Sequence, residues 1–139
     1  MTVSAIAEGY NSVTAFFHVR DADRLIAFLR EAFGAEETQR TLDAGRVVHA
    51  EVSIGNSRVM IGEPWGEWEF PRGLQHAYVY VEDVDVTFRR AVDAGATPIL
   101  EPGDQFWGDR LAGVEDPGGD RWWIATHTMD VVPPPARYW

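Results

Sequence analysis

The sequence contains no cysteine and no lysine, and all twelve of its basic residues are arginine. Without cysteine there is no thiol nucleophile, no disulfide and no thiolate metal site. Without lysine there is no side-chain amine for Schiff-base chemistry or for the attachment of pyridoxal phosphate. These two absences exclude several classes of covalent catalysis.

Positive charge and long apolar runs are also scarce. The formal net charge is −10 at pH 7, which argues against nucleic acid or an anionic membrane as the main partner, because both select a basic surface. No apolar run is long enough to span a membrane, and the first residues lack the basic start of a signal peptide, so we expect a cytoplasmic protein. A hydrophobic content of 45% is typical of a globular chain, here a single domain over residues 1–139.

The chain carries one pattern twice, roughly sixty residues apart. Segment 81–85 is similar in sequence to segment 19–23, and segment 121–124 is similar to segment 58–61. In each copy an Asp-x-Asp precedes a helical pattern, which a Gly-Ala pair ends. A repeat of this length in a short chain indicates two copies of one supersecondary unit.

Each copy predicts a strand, a helix and three further strands. Apolar and polar residues alternate over 46–54, and a Gly-Asn turn follows. This pattern predicts a β-hairpin in the first copy. We expect the first strand at 13–19, with Val13 on its core face, and a short strand at 98–100. The boundaries of the predicted parts are as follows: 12–62 for the first unit, 63–75 for a connecting loop, 76–130 for the second unit and 131–139 for a tail.

Each predicted helix has one apolar face, which must cover an apolar sheet face. The fold class is therefore α+β, with two tandem βαβββ units that form a curved mixed sheet and helices on its convex face. The opposite, concave face then carries aromatic rings and a few polar groups, which suits a small-molecule pocket. The same residues could instead pack against a dimer partner or face solvent.

Several short motifs follow one another in a fixed order: 32–35 (AFGA), 49–55 (HAEVSIG), 107–110 (WGDR) and 114–127 (VEDPGGDRWWIATH). Over residues 12–130 their order resembles the vicinal oxygen chelate superfamily, which includes glyoxalases, bleomycin-resistance proteins and extradiol dioxygenases, and within it the PhnB-like subgroup. The resemblance implies a small organic ligand and a homodimer. It does not imply one activity, because this fold serves isomerases, dioxygenases and binding proteins.

Metal-dependent members of this superfamily hold a divalent cation with four side chains, usually His, Glu or Gln. The resemblance places those positions at Thr14, Met60, His76 and Trp123. Of these side chains only His76 is a good ligand for such a cation, so we predict no metal and no other cofactor. The minority alternative is a divalent metal in a remodelled site that combines His76 with His49 and Glu51.

The concave face supplies the candidate site residues. The candidate catalytic residues are His76, His49 and Glu51, because a histidine oriented by a carboxylate is a suitable proton shuttle. The candidate ligand-binding residues are aromatic, apolar or cationic: Phe16, Arg58, Met60, Tyr78, Trp107, Arg110 and Trp123. Tryptophan offers a stacking wall for a planar ligand, and arginine suits an anionic group.

Purely structural roles are alternatives for several of these side chains and for Arg121. Glu51 could form an ion pair with Arg58 or Arg110, and His76 could be a packed, hydrogen-bonded residue. Trp123 could fill the core, and Arg121 could cover the turn at Asp116.

Four functions are consistent with these features. The leading hypothesis is a protein that binds an aromatic or conjugated organic ligand, as drug-resistance proteins of the superfamily do. The alternative is a metal-independent acid–base enzyme of the isomerase or cyclase type in a biosynthetic pathway. A metal-dependent lyase or dioxygenase with a remodelled site is third. The fourth is a domain with a vestigial pocket that serves in assembly.

Overall fold

The computed structural model describes residues 4–65 and 73–131. The chain divides into two compact units, unit 1 (Met1–Gly73) and unit 2 (Leu74–Trp139). Most of the predicted connecting loop and all but the first residue of the predicted tail lie outside the described residues. Within the described ranges, no helix is long and apolar enough to cross a membrane.

Unit 1 contains one helix and four strands. They are β1 (Ala15–His18), α1 (Ala22–Phe33), β2 (Glu36–Asp43), β3 (Arg46–Ile54) and β4 (Ser57–Gly62). The strands form a mixed sheet in the order β1-β4-β3-β2, in which β1 is parallel to β4 and the other pairs are antiparallel.

Unit 2 has the same element order and the same strand pairing. Its elements are β5 (His76–Tyr80), α2 (Val84–Asp93), β6 (Thr97–Asp104), β7 (Asp109–Glu115) and β8 (Arg121–His127). The sheet order is β5-β8-β7-β6, with β5 parallel to β8. The predicted α+β class and the two tandem βαβββ units are confirmed, each unit having its own four-stranded mixed sheet.

The helices begin at the residues that the Asp-x-Asp motifs predict. The carboxylate of Asp21 accepts a hydrogen bond from the Arg24 amide, and that of Asp83 accepts one from the Val86 amide. Helix α1 ends at Gly34, whose φ of 68° is the left-handed conformation that glycine adopts at low cost. Each helix buries its apolar side against one face of its sheet, which leaves the other face of each sheet available for a site.

Two predicted strands have different bounds in the structure. Strand β1 begins at Ala15, so Val13 lies outside the strand and is 86% exposed, and its predicted place in the core is wrong. Strand β6 has eight residues rather than three and includes Pro98 and Pro102. Because β6 is an edge strand, a proline there need not remove a ladder hydrogen bond.

Candidate functional site

Unit 1 contains a pocket of about 330 Å³ on the face of its sheet opposite α1. Its lining residues come from all four strands and from the segment after β4: Phe16, His18, Thr41, Val48, His49, Gly62, Glu63 and Trp65. Phe16 and His18 alternate on β1 and therefore point to the same side of the sheet. The register places His18 opposite Gly62, so the pocket lies above the ends of β1 and β4.

Gly62 makes room for this pocket. A β-carbon at Gly62 would lie 2.9 Å from the carbonyl oxygen of Val48 and 3.1 Å from the ring of Phe16. Both distances are shorter than ordinary van der Waals contact. A glycine at this position therefore lets the Phe16 ring lie close to the strand.

Glu63 fixes one wall of the pocket. Its carboxylate accepts hydrogen bonds from the backbone amides of Ala22 at 2.8 Å and Val47 at 3.0 Å. The first of these amides is at the start of α1, where a helix leaves N–H groups without intrahelical partners. Glu63 therefore ties β3 to the beginning of α1.

A hydrogen-bonded chain of three side chains lies beside the pocket. Nε2 of His49 is 3.0 Å from one carboxylate oxygen of Glu51, and the hydroxyl of Tyr10 donates to the other oxygen. Glu51 is buried, and the His49 and Phe16 rings are 5.7 Å apart. This arrangement brings together the candidate residues Phe16, His49 and Glu51. It also adds Tyr10, to which the sequence analysis gave no role.

Arg58 and Met60, two further candidates of unit 1, lie on β4. Nε of Arg58 donates to the carbonyl oxygen of Gly9 at 3.0 Å, and its guanidinium lies 4.7 Å from the centre of the Tyr10 ring. Arg58 thus holds the segment before β1 through a hydrogen bond and a cation–π contact. Met60 is paired with Phe16 on one side and with Glu51 on the other.

In unit 2 a buried carboxylate organises a second group of polar and aromatic side chains, which we call the Asp109 cluster. Its members are Tyr78, Tyr80, Asp109, His127, Asp130 and Trp107. Oδ2 of Asp109 accepts hydrogen bonds from the hydroxyls of Tyr78 at 2.6 Å and Tyr80 at 2.9 Å. Oδ1 is 2.8 Å from Nδ1 of His127, whose Nε2 is 2.6 Å from Asp130. Asp109 is only 2% exposed, while both tyrosine rings are exposed.

The contacts in this cluster shift the protonation of its members. Burial alone would raise the pKa of Asp109, but the hydrogen bonds from Tyr78, His127 and Tyr80 outweigh burial and lower it. Burial first, and then the bond to Asp109, raises the pKa of Tyr78 to about 12. The bonds to Asp130 and then Asp109 raise the pKa of His127. At neutral pH the cluster therefore holds an ionised aspartate and protonated tyrosines.

Trp107 joins the cluster through its indole nitrogen. Nε1 of Trp107 donates to the hydroxyl oxygen of Tyr78 at 3.2 Å. The next residue, Gly108, has a φ of 95°, and its carbonyl oxygen accepts hydrogen bonds from the amides of Thr128 and Met129. These contacts attach the turn that carries Trp107 to the segment after β8.

His76 and Trp123 form a pair on the same face of unit 2. Nε1 of Trp123 donates to Nδ1 of His76 at 3.1 Å, and the two rings are within 5° of parallel. A β-carbon at Gly113 would lie 2.6 Å from the Trp123 ring, so glycine lets the indole lie against β7. Because Nδ1 of His76 accepts this bond, the neutral ring has its proton on Nε2, and no lone pair is left for a general base.

The prediction that Arg110 lies on the concave face with Tyr78 is wrong, because its side chain contacts helix α2. Its Nε and Nη2 donate to the two carboxylate oxygens of Asp85 on α2, at 2.8 and 3.0 Å. Along β7 its side chain alternates with that of Asp109, so the two point to opposite sides of the sheet. The guanidinium of Arg110 therefore joins the sheet to its helix instead of facing Tyr78.

The residues that the resemblance assigns to the metal positions of the superfamily are chemically poor ligands for a divalent cation. Thr14, Met60 and Trp123 carry neither imidazole nor carboxylate, and His76 is hydrogen-bonded to Trp123. Within residues 4–65 and 73–131, no three His, Asp or Glu side chains are grouped as a metal-binding site.

Comparison with proteins of known sequence identifies relatives that match 81% of this chain. The uncharacterized protein Mb0911c of Mycobacterium bovis is 34% identical over 123 residues, which cover 81% of this chain and 81% of that protein. The uncharacterized protein Rv0887c of Mycobacterium tuberculosis H37Rv has the same identity over 81% of this chain and 72% of its own length.

Solved structures share the fold. TioX from Micromonospora sp. ML1 is 26% identical, with a TM-score of 0.71 over 84% of this chain and 98% of that one. A glyoxalase/bleomycin resistance protein/dioxygenase family enzyme from Burkholderia phytofirmans PsJN is 21% identical, with a TM-score of 0.63 over 82% of this chain and 96% of that one. A family model for the same superfamily matches residues 11–124. This protein belongs to the glyoxalase/bleomycin resistance protein/dioxygenase superfamily.

Proposed function

We propose that this protein binds a small aromatic or conjugated organic ligand without the usual metal, and that the unit 1 pocket is its binding site. The observation that carries the proposal is the pocket itself. Its volume of about 330 Å³ falls within the range of small-molecule sites, which are mostly apolar with a few polar groups. The homodimer that the superfamily resemblance implies and the cytoplasmic location expected from the sequence are part of the same proposal.

Two aromatic rings at the pocket favour a planar ligand. Phe16 is 49% exposed and Trp65 is 40% exposed, so each has ring surface that a ligand would cover. Aromatic pairs gain stacking energy beyond the burial of their surface. The net charge of −10 also favours a neutral or cationic ligand over an anionic one.

Binding of the neutral planar dye N-phenyl-1-naphthylamine tests this proposal. The dye fluoresces in apolar surroundings, and we expect saturable binding to the wild-type protein. Phe16→Ala and Trp65→Ala should each weaken binding about tenfold, because each removes one stacking wall worth ~1.4 kcal/mol. Phe106→Ala removes an exposed ring of unit 2 and should leave the dissociation constant unchanged. Equal affinity in all four proteins, or no saturable binding, would contradict the proposed pocket.

The chain of Tyr10, Glu51 and His49 favours a second function, that of a metal-independent acid–base enzyme. An ionised carboxylate only accepts hydrogen bonds, so the neutral His49 ring donates Nε2–H to Glu51. The lone pair is then on Nδ1 of His49, a residue that lines the pocket, and in this second function it removes a proton from the ligand. Tyr10 holds the other oxygen of Glu51 and thereby fixes the orientation of the carboxylate.

Hydrogen–deuterium exchange at carbon separates this enzyme from a simple binding protein. The probe is 2-indanone, a planar aromatic ketone with acidic C–H groups, followed by proton NMR in D₂O. If His49 is a base, the protein should accelerate exchange above the buffer rate, and Glu51→Gln should reduce that acceleration at least tenfold, since general-base effects are of order 10²–10⁴. The same variant should still bind the dye, and Glu82→Gln, which changes an exposed carboxylate of unit 2, should exchange like the wild type. Exchange no faster than in buffer would leave binding as the function of the pocket.

A further inference from the structure

The Asp109 cluster presents three aromatic rings around a buried negative charge. The rings of Tyr78 and Tyr80 are exposed and meet edge to face, with their centres 5.4 Å apart. Trp107 is half-buried and contacts the Tyr78 hydroxyl through its indole nitrogen. None of these residues lines the unit 1 pocket, so an inference about them does not depend on the ligand proposed there.

The direction of the hydrogen bonds determines what this surface can bind. Both tyrosine hydroxyls donate to Oδ2 of Asp109, and His127 occupies Oδ1. A carboxylate accepts about four hydrogen bonds, so three of its positions are already taken. The negative charge of Asp109 is therefore not accessible to a ligand that must form its own hydrogen bonds or coordinate directly to oxygen.

The negative charge of Asp109 makes the two tyrosine rings more electron-rich. A hydroxyl that donates to a carboxylate shifts electron density into its phenol ring, and both Tyr78 and Tyr80 are exposed. Cations bind to the faces of such rings, and tyrosine and tryptophan are the preferred rings. A cation with no hydrogen-bond donors loses nothing by contacting rings instead of oxygen atoms.

We propose that unit 2 binds an alkylated ammonium group on the rings of Tyr78, Tyr80 and Trp107, above the carboxylate of Asp109. The fully exposed Asp130 adds a second negative charge on the far side of His127. Even with His127 protonated, the two aspartates give the cluster a formal charge of −1. The ligand class is thus a quaternary ammonium compound, whose cationic group has no hydrogen-bond donor, and the recognition is by cation–π contact and charge.

The experiment compares choline chloride with 3,3-dimethylbutan-1-ol, a neutral molecule of the same shape, at constant ionic strength. The reporter is the indole N–H signal of Trp107 in two-dimensional NMR, assigned from its loss in Trp107→Phe. We expect choline to shift this signal with a saturable, millimolar dissociation constant, and the alcohol to bind at least tenfold more weakly. Equal effects of the two molecules, or no shift with choline, would overturn the proposal.

Substitutions at Tyr80 separate the ring from its hydroxyl. Tyr80→Leu removes the ring and should weaken choline binding about fivefold, which corresponds to ~1 kcal/mol. Tyr80→Phe keeps the ring but loses its bond to Asp109, so its affinity should fall between those of the wild type and the leucine variant. Leu74→Ala removes an exposed apolar side chain elsewhere in unit 2 and is the matched control. Wild-type affinity in Tyr80→Leu, with its fold verified by circular dichroism, would exclude this surface as the cation site.

Discussion

Replacing Asp109 by asparagine is expected to lower the free energy of unfolding by about 3 kcal/mol at pH 6. The side chain is almost fully buried and accepts three hydrogen bonds, two from tyrosine hydroxyls and one from His127. A hydrogen bond to a charged group contributes about 1.5–3 kcal/mol, and asparagine can replace only part of this network because one of its two polar atoms is a donor. Urea unfolding followed by tryptophan fluorescence measures the difference.

The effect of Asp109→Asn should depend on pH in a defined direction. Folding lowers the pKa of Asp109. The contribution of this carboxylate to the free energy of unfolding is therefore present above its ordinary pKa, about 3.9, and is lost as the pH falls through the lower pKa of the folded state. Folding raises the pKa of His127. The stabilisation that comes from its protonated ring is therefore present below about pH 6.5 and is lost as the pH rises through the pKa of His127 in the folded state. The difference between the variant and the wild type should therefore be largest between about pH 4 and 6.5.

Asp130→Asn is the matched control for this substitution. Asp130 contacts the other ring nitrogen of His127, but its side chain is fully exposed. A fully exposed ion pair contributes little to stability because solvent screens it, so the loss should be small. Equal losses in the two variants would show that burial of Asp109 is not the source of its contribution.

Asp116→Ala should destabilise the protein more, by about 4 kcal/mol. Oδ1 of Asp116 accepts hydrogen bonds from the amides of Gly118 at 2.8 Å and Asp120 at 3.0 Å, and Oδ2 accepts one from Nε1 of Trp122 at 2.8 Å. Trp122 is a fully buried side chain. Alanine would leave the donors of the buried residues Asp120 and Trp122 without this acceptor, and a buried donor left unsatisfied costs about 1–3 kcal/mol.

Glu115→Ala is the neighbouring control. The Glu115 side chain is partly exposed and lies 4.0 Å from Arg121 across the strand pair, so its removal should cost well under 1 kcal/mol. Thermal unfolding monitored by circular dichroism compares the two variants. A melting temperature of Asp116→Ala close to that of Glu115→Ala would refute the role given to the buried carboxylate.

The sequence predicts most of the fold because its signals are local. Asp21 and Asp83 mark the helix starts, and the alternation over 46–54 gives the bounds of β3. The length of β6 is missed because Pro102 disfavours continuation of a strand in general, and only the position of β6 at the sheet edge makes it tolerable. That position is a property of the sheet and not of the segment.

The candidate site is only partly predictable, because its key contacts join residues far apart in the chain. Alternation places His49 and Glu51 on one face, but nothing local links Tyr10 to Glu51 across forty-one positions. Asp109 was not among the predicted site residues. With Asp109 as the first residue of β7, the same alternation places its side chain on the face of Tyr78 and turns Arg110 to the helix side.

The repeat itself also obscured a difference between the two units. Phe16 of β1 and Tyr78 of β5 have equivalent partners in their sheets, Met60 and Trp123. In unit 1 the space beyond Phe16 is a pocket above Gly62, whereas in unit 2 the tyrosines bond to Asp109. The similarity of the two patterns predicts the shared backbone, but the side chains that differ decide where a ligand can enter.

The composition of strands β2 and β6 bears on how this protein behaves at high concentration. Each is the last strand of its sheet, and a free edge is a template on which another chain can add a strand and begin a fibril. Prolines interrupt the edge at β6, and charged side chains are spread along β2: Glu36, Glu37, Arg40 and Asp43. The prolines and the charged side chains both oppose the addition of a strand from another molecule. These two edges are therefore protected against aggregation by residues that have no part in either proposed site.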